Sequence, residues 1–360
     1  MPGHDKSLEE RIVYPHFSPK NADGSVTVKI STPKIHDQSY TITLKIPKSL
    51  YNGAKSGQHY TSVPQGVSEK IWRHKSLQSF IFHDNHTSIY DALLKSFREI
   101  RKELRLDTDE YLEFLSSYVQ NLEYDTAKSK DSKRNPRFPI ETLVDMKGIC
   151  SDKSLLLAAM LQHEGYTVCL MSFRDENHMT VGIPAPHGYD YRNTGYAIIE
   201  ATCPSFVGSK NQGEGGSLKL RSIPDIIPIG KGKLQYTAFK EAAWIIETEE
   251  KLRDLTSGKM SAAIDKEKKE IEQIQKNLRQ FSHEIEKERQ NNSIWDKKTT
   301  EKFNQKVDEY NRQNEQLRKK IAASNAYIEK YNSYIELIRF ISRHTSERKK
   351  VVREIKRILG

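Results

Sequence analysis

Glu141-Thr-Leu-Val-Asp-Met-Lys-Gly-Ile-Cys-Ser-Asp-Lys-Ser-Leu-Leu-Leu-Ala-Ala-Met-Leu-Gln-His-Glu-Gly-Tyr166 is the stretch that decides the fold. Gly148 punctuates it, Ser151 or Asp152 can cap, and Leu155, Leu156, Ala159, Met160 and Leu161 make a strongly apolar helix ending near Gly165. Two strand-like runs follow, Thr167–Phe173 and His178–Ile183, and then a third, Tyr196–Ala201. One helix ahead of three strands is an α+β arrangement. The next stretch, Ser205 to Lys233, is rich in Gly and Pro and reads as a covering loop.

Upstream of the quoted stretch lies a polar, basic, proline-bearing surface loop, Lys128 to Pro139. Before it, Ile89, Leu93, Leu94, Phe97, Ile100 and Leu104 follow helical spacing, and a second helix, Asp109 to Asn121, starts at Asp107-Thr108. The first seventy residues read as extended chain. Ser25–Ile30 and Tyr40–Ile46 alternate apolar and polar residues, as strands of a small antiparallel sheet with one wet face do.

Beyond about Phe239 the period changes. Phe303, Val307, Tyr310, Asn314, Leu317, Ile321, Ser324, Ile328, Tyr331, Ile335 and Ile338 alternate steps of four and three, a heptad seam matched by Ile264, Ile271, Ile274, Leu278, Phe281 and Ile285. Gln290–Ser293 interrupts the two arms, so an antiparallel α-helical coiled-coil hairpin is expected, with a parallel dimer as the alternative. Three domains follow: a β-rich segment 1–70, a central α+β domain 71–235 and a helical hairpin with a basic tail 236–360.

The 360 residues carry a net charge of +10. Lys251–Gly360 holds 27 Lys and Arg against 17 Asp and Glu, so the first 250 residues are neutral overall. From Arg339 onward there are eight basic and two acidic residues, a tail that could meet phosphate, but it lacks interleaved aromatics and any reader motif. A solvated basic helix end is the preferred reading, and nucleic acid is not expected as a partner. No run of 18 uncharged apolar residues occurs, which excludes a membrane-spanning helix, and no secretory leader is read at the start. Three cysteines without metal-type spacing argue against a disulfide scaffold or a structural zinc finger, so a reducing, cytoplasmic setting is expected.

The candidate chemistry is a Cys, a His and a carboxylate in order. Cys150 opens a helix, where backbone N–H groups and the dipole favour a thiolate. His178 opens a strand, and Glu200 ends the strand that follows. A nucleophile, a base and an orienting acid require such parts, although these positions also suit ordinary buried or surface residues. Cys169 reads as a buried core thiol and Cys203 as structural. His83-Asp-Asn-His86 has a spacing that could hold a metal, with a solvated loop as the alternative. Gly230-Lys-Gly-Lys233 lacks the spacing of a phosphate-binding loop.

Several blocks of the sequence resemble the transglutaminase-like cysteine peptidase superfamily, most closely its prokaryotic, largely uncharacterised branch. They are Tyr118-Val-Gln-Asn-Leu-Glu-Tyr124, Phe138-Pro-Ile-Glu-Thr-Leu143, Gly148-Ile-Cys-Ser-Asp-Lys-Ser-Leu155, Asn177-His-Met-Thr-Val-Gly182 and Gly195-Tyr-Ala-Ile-Ile-Glu-Ala-Thr202. The resemblance implies a papain-like core with Cys150 as nucleophile, His178 as general base and Glu200 as the acid that orients it. Asp152 matches an acidic position of this branch and is expected to cap the helix. The backbone N–H of Cys150, with the side chain of Gln120, is the candidate oxyanion donor set; Gln120 fits an ordinary helix-surface amide as well. Where many members read Gly-Asp-Cys, this chain has Ile149 before the cysteine. The implied function is cofactor-free and metal-free hydrolysis of peptide or isopeptide amides through a thioester, with protein partners met through the coiled coil. The alternative is a non-enzymatic interaction module on the same fold.

Overall fold

The computed structural model of the chain describes residues 9–132, 134–212, 218–291 and 296–360. By contacts it divides into two compact units, 1–246 with 341–354 and 247–340 with 355–360.

In the first unit, β1 (Ser25–Ser31) and β2 (Thr41–Pro47) pair antiparallel, with Val26 opposite Ile46 and Ile30 opposite Ile42. Their side chains alternate buried and exposed, as one wet face requires. The segment is not extended throughout. Helices α1 (Lys48–Lys55) and α2 (Glu69–Ile81) follow, the first running through Asn52-Gly53 where the sequence reads as a turn. Next come α3 (Thr87–Leu104) and α4 (Thr108–Gln120). Asp107 caps α4 by accepting the Glu110 N–H at 2.8 Å, while the Glu110 carboxylate accepts the Asp107 N–H at 3.1 Å. Every residue of α4 from Asp109 to Gln120 is buried, so this helix is the central post of the core.

Two-residue strands β3 (Glu123–Tyr124) and β4 (Lys147–Gly148) pair in parallel and bracket α5 (Thr126–Ser129) and α6 (Pro139–Asp145). Then comes α7 (Cys150–His163), buried from Asp152 to Leu161. It lies on a four-stranded antiparallel sheet built from β5 (Val168–Phe173), β6 (His178–Pro184) and β7 (Tyr196–Ile199). After a small hairpin, β8 (Asn211–Gln212) and β9 (Leu218–Lys219), β10 (Asp225–Gly230) closes the sheet in the order β10-β5-β6-β7. This fourth strand occupies what reads in sequence as loop. It is an edge, the position that tolerates Pro228 within a strand.

A close crossing ties the edge strand's exit to the end of α7. Gly232 and Thr167 exchange hydrogen bonds at 3.0 and 3.2 Å, and the Leu234 N–H donates to the Gly165 carbonyl at 3.0 Å. A Cβ on Gly232 would overlap that carbonyl group. Gly232→Ala is therefore expected to destabilise the protein by about 1–3 kcal/mol, the range for forced backbone shifts, as read by chemical denaturation.

Helix α8 (Phe239–Asp254) runs out of the first unit, and the second consists mainly of α9 (Ser261–Asn291) and α10 (Lys297–Arg343). Lys306 pairs with Glu288 at 2.5 Å, Phe281 meets Tyr310 edge-on at 6.1 Å, and Lys320 pairs with Glu270 at 2.6 Å. As one partner's number rises the other's falls, so the two long helices run antiparallel along each other. Asp296 caps α10 by accepting the Thr299 N–H at 2.7 Å; the break expected at Gln290–Ser293 lies partly outside the described residues.

The basic tail, helix α11 (Arg348–Leu359), departs at its start from the solvated helix end expected of it, while Arg353, Lys356 and Arg357 are exposed as expected. Residues 341–354 belong to the first unit and residues 355–360 to the second. Arg348 is 3% exposed; its Nε donates to Glu113 Oε1 at 2.7 Å, and its guanidinium also binds Glu241. Tyr236 donates to the same Glu113 oxygen at 2.7 Å. Lys349 pairs with Asp107 at 2.8 Å and Lys350 with Asp37 at 2.6 Å. Three of the tail's charges, Arg348, Lys349 and Lys350, are thus paired internally.

Candidate active site

The site begins with a tight approach at Gly148. A Cβ there would stand 2.7 Å from the Asp152 Cβ, so only glycine lets the chain enter α7 at this angle. Ile149 is the N-cap in extended conformation and Cys150 the first helical residue, whose backbone N–H has no intrahelical acceptor. Asp152, fully buried, accepts the Ile149 N–H at 3.1 Å from the third helical position. It also binds Lys128 Nζ at 2.8 Å and the Arg137 N–H at 2.8 Å. The acidic residue thus locks the basic loop to the helix start, a broader role than capping alone.

His178 opens β6 opposite Phe173, after a turn in which Asn177 adopts a positive φ of 49°. The Cys150 thiol points to the Asn177 carbonyl, 4.0 Å away. Glu200 lies just past β7. Extending the register beyond Val181–Ile199 puts it opposite Thr180, so His178 and Glu200 are diagonal neighbours on one face. His178 Nε2 and Glu200 Oε2 are 3.0 Å apart in a buried pair. The other Glu200 oxygen accepts the Thr202 N–H at 2.7 Å and the Thr202 hydroxyl.

The electrostatics follow from these contacts. Burial works to lower the His178 pKa; hydrogen bonds to Cys150 and Glu200, and the charges of both, overcome it and hold the imidazole up to about 10. Burial works to raise Glu200, yet the hydrogen bond and charge of His178, with both Thr202 donors, keep it below its ordinary value. The structure therefore brings Cys150, His178 and Glu200 together. Tyr124, 38% exposed, stands close enough for the charge on Cys150 to act on its phenol.

Residues 98–189 match the transglutaminase-like domain. The matched span takes in Cys150, Asp152 and His178 and ends before Glu200. No curated protein and no solved structure matches the chain. No helix among the described residues is long and apolar enough to cross a membrane.

Gln120, within the matched span, is placed differently from the oxyanion role expected for it. Its Nε2 donates to the carbonyls of Glu200 at 3.0 Å and Ser205 at 3.1 Å, and its Oε1 accepts the Ser205 N–H at 3.4 Å. Both amide protons are committed, so the side chain is a tether. Sequence reasoning missed Thr202, although its place two residues after Glu200 is where a local donor to that carboxylate would sit. His83 and His86 do not form a solvated loop: His86 is 1% exposed, and both rings pack with Phe17 and Phe138. Cys169 is fully buried, and burial pushes its thiol up to about 12.

The turn before His178 is braced by Glu176, which accepts the N–H groups of Arg221 at 2.6 Å and Ser222 at 2.8 Å. Burial acts to raise this carboxyl, and the Ser222 hydroxyl with the two N–H groups brings it down from 4.5 to about 2. A carboxylate depressed in the folded state stabilises above its unfolded pKa and loses that contribution as pH falls through the folded one. The stability gap between the wild type and Glu176→Gln is thus expected to close as pH falls from about 5 to about 2, as measured by denaturant titration.

Proposed function

We propose that the protein is a cysteine-dependent acyl-transfer enzyme acting on peptide or isopeptide amides, with Cys150 as nucleophile, His178 as acid and base, and Glu200 as the orienting acid. The observation that carries this reading is the position of His178, paired with Glu200 through Nε2 at 3.0 Å and preceded by Asn177, whose carbonyl the Cys150 thiol meets at 4.0 Å. An imidazolium beside a sulfur at a helix N-terminus is the setting in which a cysteine becomes nucleophilic.

The sulfur attacks the amide carbonyl carbon, and the developing oxyanion meets the backbone N–H of Cys150. His178 gives its proton to the leaving nitrogen as the C–N bond breaks, which leaves a thioester on Cys150. Water or an amine then attacks, His178 takes up its proton, and the thiol ester bond breaks to release the acid or the new amide. Glu200, held on its other oxygen by Thr202, keeps the ring in place throughout. Protein partners are assigned to the long helices of the second unit.

p-Nitrophenyl acetate supplies an activated acyl group for the test. A burst of nitrophenolate with one acetyl group mapped to Cys150, absent in Cys150→Ser, is expected. Added hydroxylamine distinguishes the acceptors, since an acyl transferase forms the hydroxamate faster than it hydrolyses. Acetylation spread over surface lysines, with Cys150→Ser unchanged, would leave only the interaction module.

A further inference from the structure

Lys153 lies one turn beyond Cys150 on α7 and is fully buried. An ammonium taken out of water is costly unless each proton finds an acceptor. Here the acceptors are three backbone carbonyls: Gln120 at 3.0 Å, Leu122 at 2.8 Å and Thr202 at 3.3 Å. Gln120 is the last residue of α4, where helix carbonyls lack intrahelical partners, and Leu122 follows just past the helix end. The third belongs to the residue whose N–H and hydroxyl hold Glu200. From the same end of α4, the Gln120 side chain grips the backbone of Glu200 and Ser205. The segment carrying the acid is therefore fastened at its start by Gln120 and at its middle by Lys153, and Lys153 rides on the helix that carries the sulfur.

We propose that Lys153 and Gln120 are positioning residues that hold Glu200 in register with His178 and Cys150. This rests on the acyl-transfer reading above. Neither side chain touches the reacting atoms; both act through the 200–205 segment. Burial brings Lys153 down to about 8, with Glu200 and Cys203 the charges that support its ammonium, while Cys150 and Glu200 are the groups that act on His178.

The test uses the full chain and iodoacetamide, with alkylation of Cys150 followed by peptide mapping from about pH 5 to about pH 9 in the wild type, Lys153→Met, Gln120→Met and Glu200→Gln. Circular dichroism establishes that each variant is folded. Misplacing the acid is expected to lower the rate near pH 6 by about tenfold to a hundredfold. The profile of both positioning variants should move toward that of Glu200→Gln, a displacement that lost stability alone would not produce. Should Lys153→Met fail to fold, Gln120→Met decides by the same readout. Wild-type profiles in the folded positioning variants, with Glu200→Gln shifted, overturn the positioning role and leave the triad standing. A wild-type profile in Glu200→Gln as well overturns the acyl-transfer reading itself.

Discussion

His178→Gln is expected to slow alkylation of Cys150 near neutral pH by about a hundredfold or more, and to abolish the acetyl burst. In the wild type the ring lies close enough to the sulfur for its charge to act on the imidazole, and it is held by a buried carboxylate 3.0 Å away. Glutamine nearly fills the space but can neither carry the charge nor exchange a proton. The sulfur then has no adjacent imidazolium to favour the thiolate that attacks. The shape of the profile separates this from a general loss of structure. The pH profile of the variant should differ in shape from that of the wild type, because the imidazole that assists the sulfur is gone, whereas lost stability would lower the rate at every pH alike. Glu200→Gln should give a smaller loss, because the ring keeps its contact with sulfur and forfeits only its orientation. Mass-spectrometric peptide mapping reads all three.

Arg348→Met is expected to destabilise the protein by about 3–5 kcal/mol, the cost of leaving one partner of a buried pair uncompensated. Methionine keeps most of the apolar stem, so the loss is electrostatic rather than a cavity. What remains is Glu113, 2% exposed, with Tyr236 as donor to one oxygen and no partner on the other. At about 2–4 °C per kcal/mol for a domain of this size, the melting temperature should fall by on the order of 10 °C. The sign of the pH dependence follows from Glu113, which burial holds up to about 7 despite the opposing charge and hydrogen bonds of Arg348 and Tyr236. A carboxylate raised in the folded state is best tolerated when protonated, and its stability is lost as pH rises through the folded value. The deficit of Arg348→Met should accordingly be smaller near pH 5 than near pH 8. Replacing both partners, as Glu113→Leu with Arg348→Met, should recover much of the loss, because two apolar side chains leave no buried charge. Thermal and denaturant melts at the two pH values test each part.

The contrast between these two predictions marks how far the sequence could be read. The helix from Cys150 and the strands from Val168, His178 and Tyr196 carry strong apolar runs bounded by glycine, so their identity and order were legible. So were the two long helices, Ser261–Asn291 and Lys297–Arg343. Strand Asp225–Gly230 was not, because Pro224, Pro228 and Gly230 surround three isoleucines, and only its edge position makes that composition workable. Helix Lys48–Lys55 was hidden by Asn52-Gly53; Gly53 is needed there because a side chain would collide with the backbone of Ser18. Cys150, His178 and Glu200 were candidates from residue type, order and resemblance. Lys153 and Arg348 were invisible for the opposite reason: lysine and arginine read as surface, and their partners lie far off in the chain. Gln120 was noticed for its chemistry, but its tethering depends on Ser205, 85 positions away, which local pattern does not encode.

The central claim is that one imidazole is shared between a sulfur and a carboxylate. Nitrogen-detected NMR of the His178 ring across a pH titration measures it directly. With Cys150 in place the ring should stay protonated well past neutrality, with its midpoint near 10, and should fall toward the ordinary histidine range in Cys150→Ala. A ring that titrates near about 6.5 in both proteins would mean that sulfur and imidazole do not interact, and the proposed chemistry would have no base.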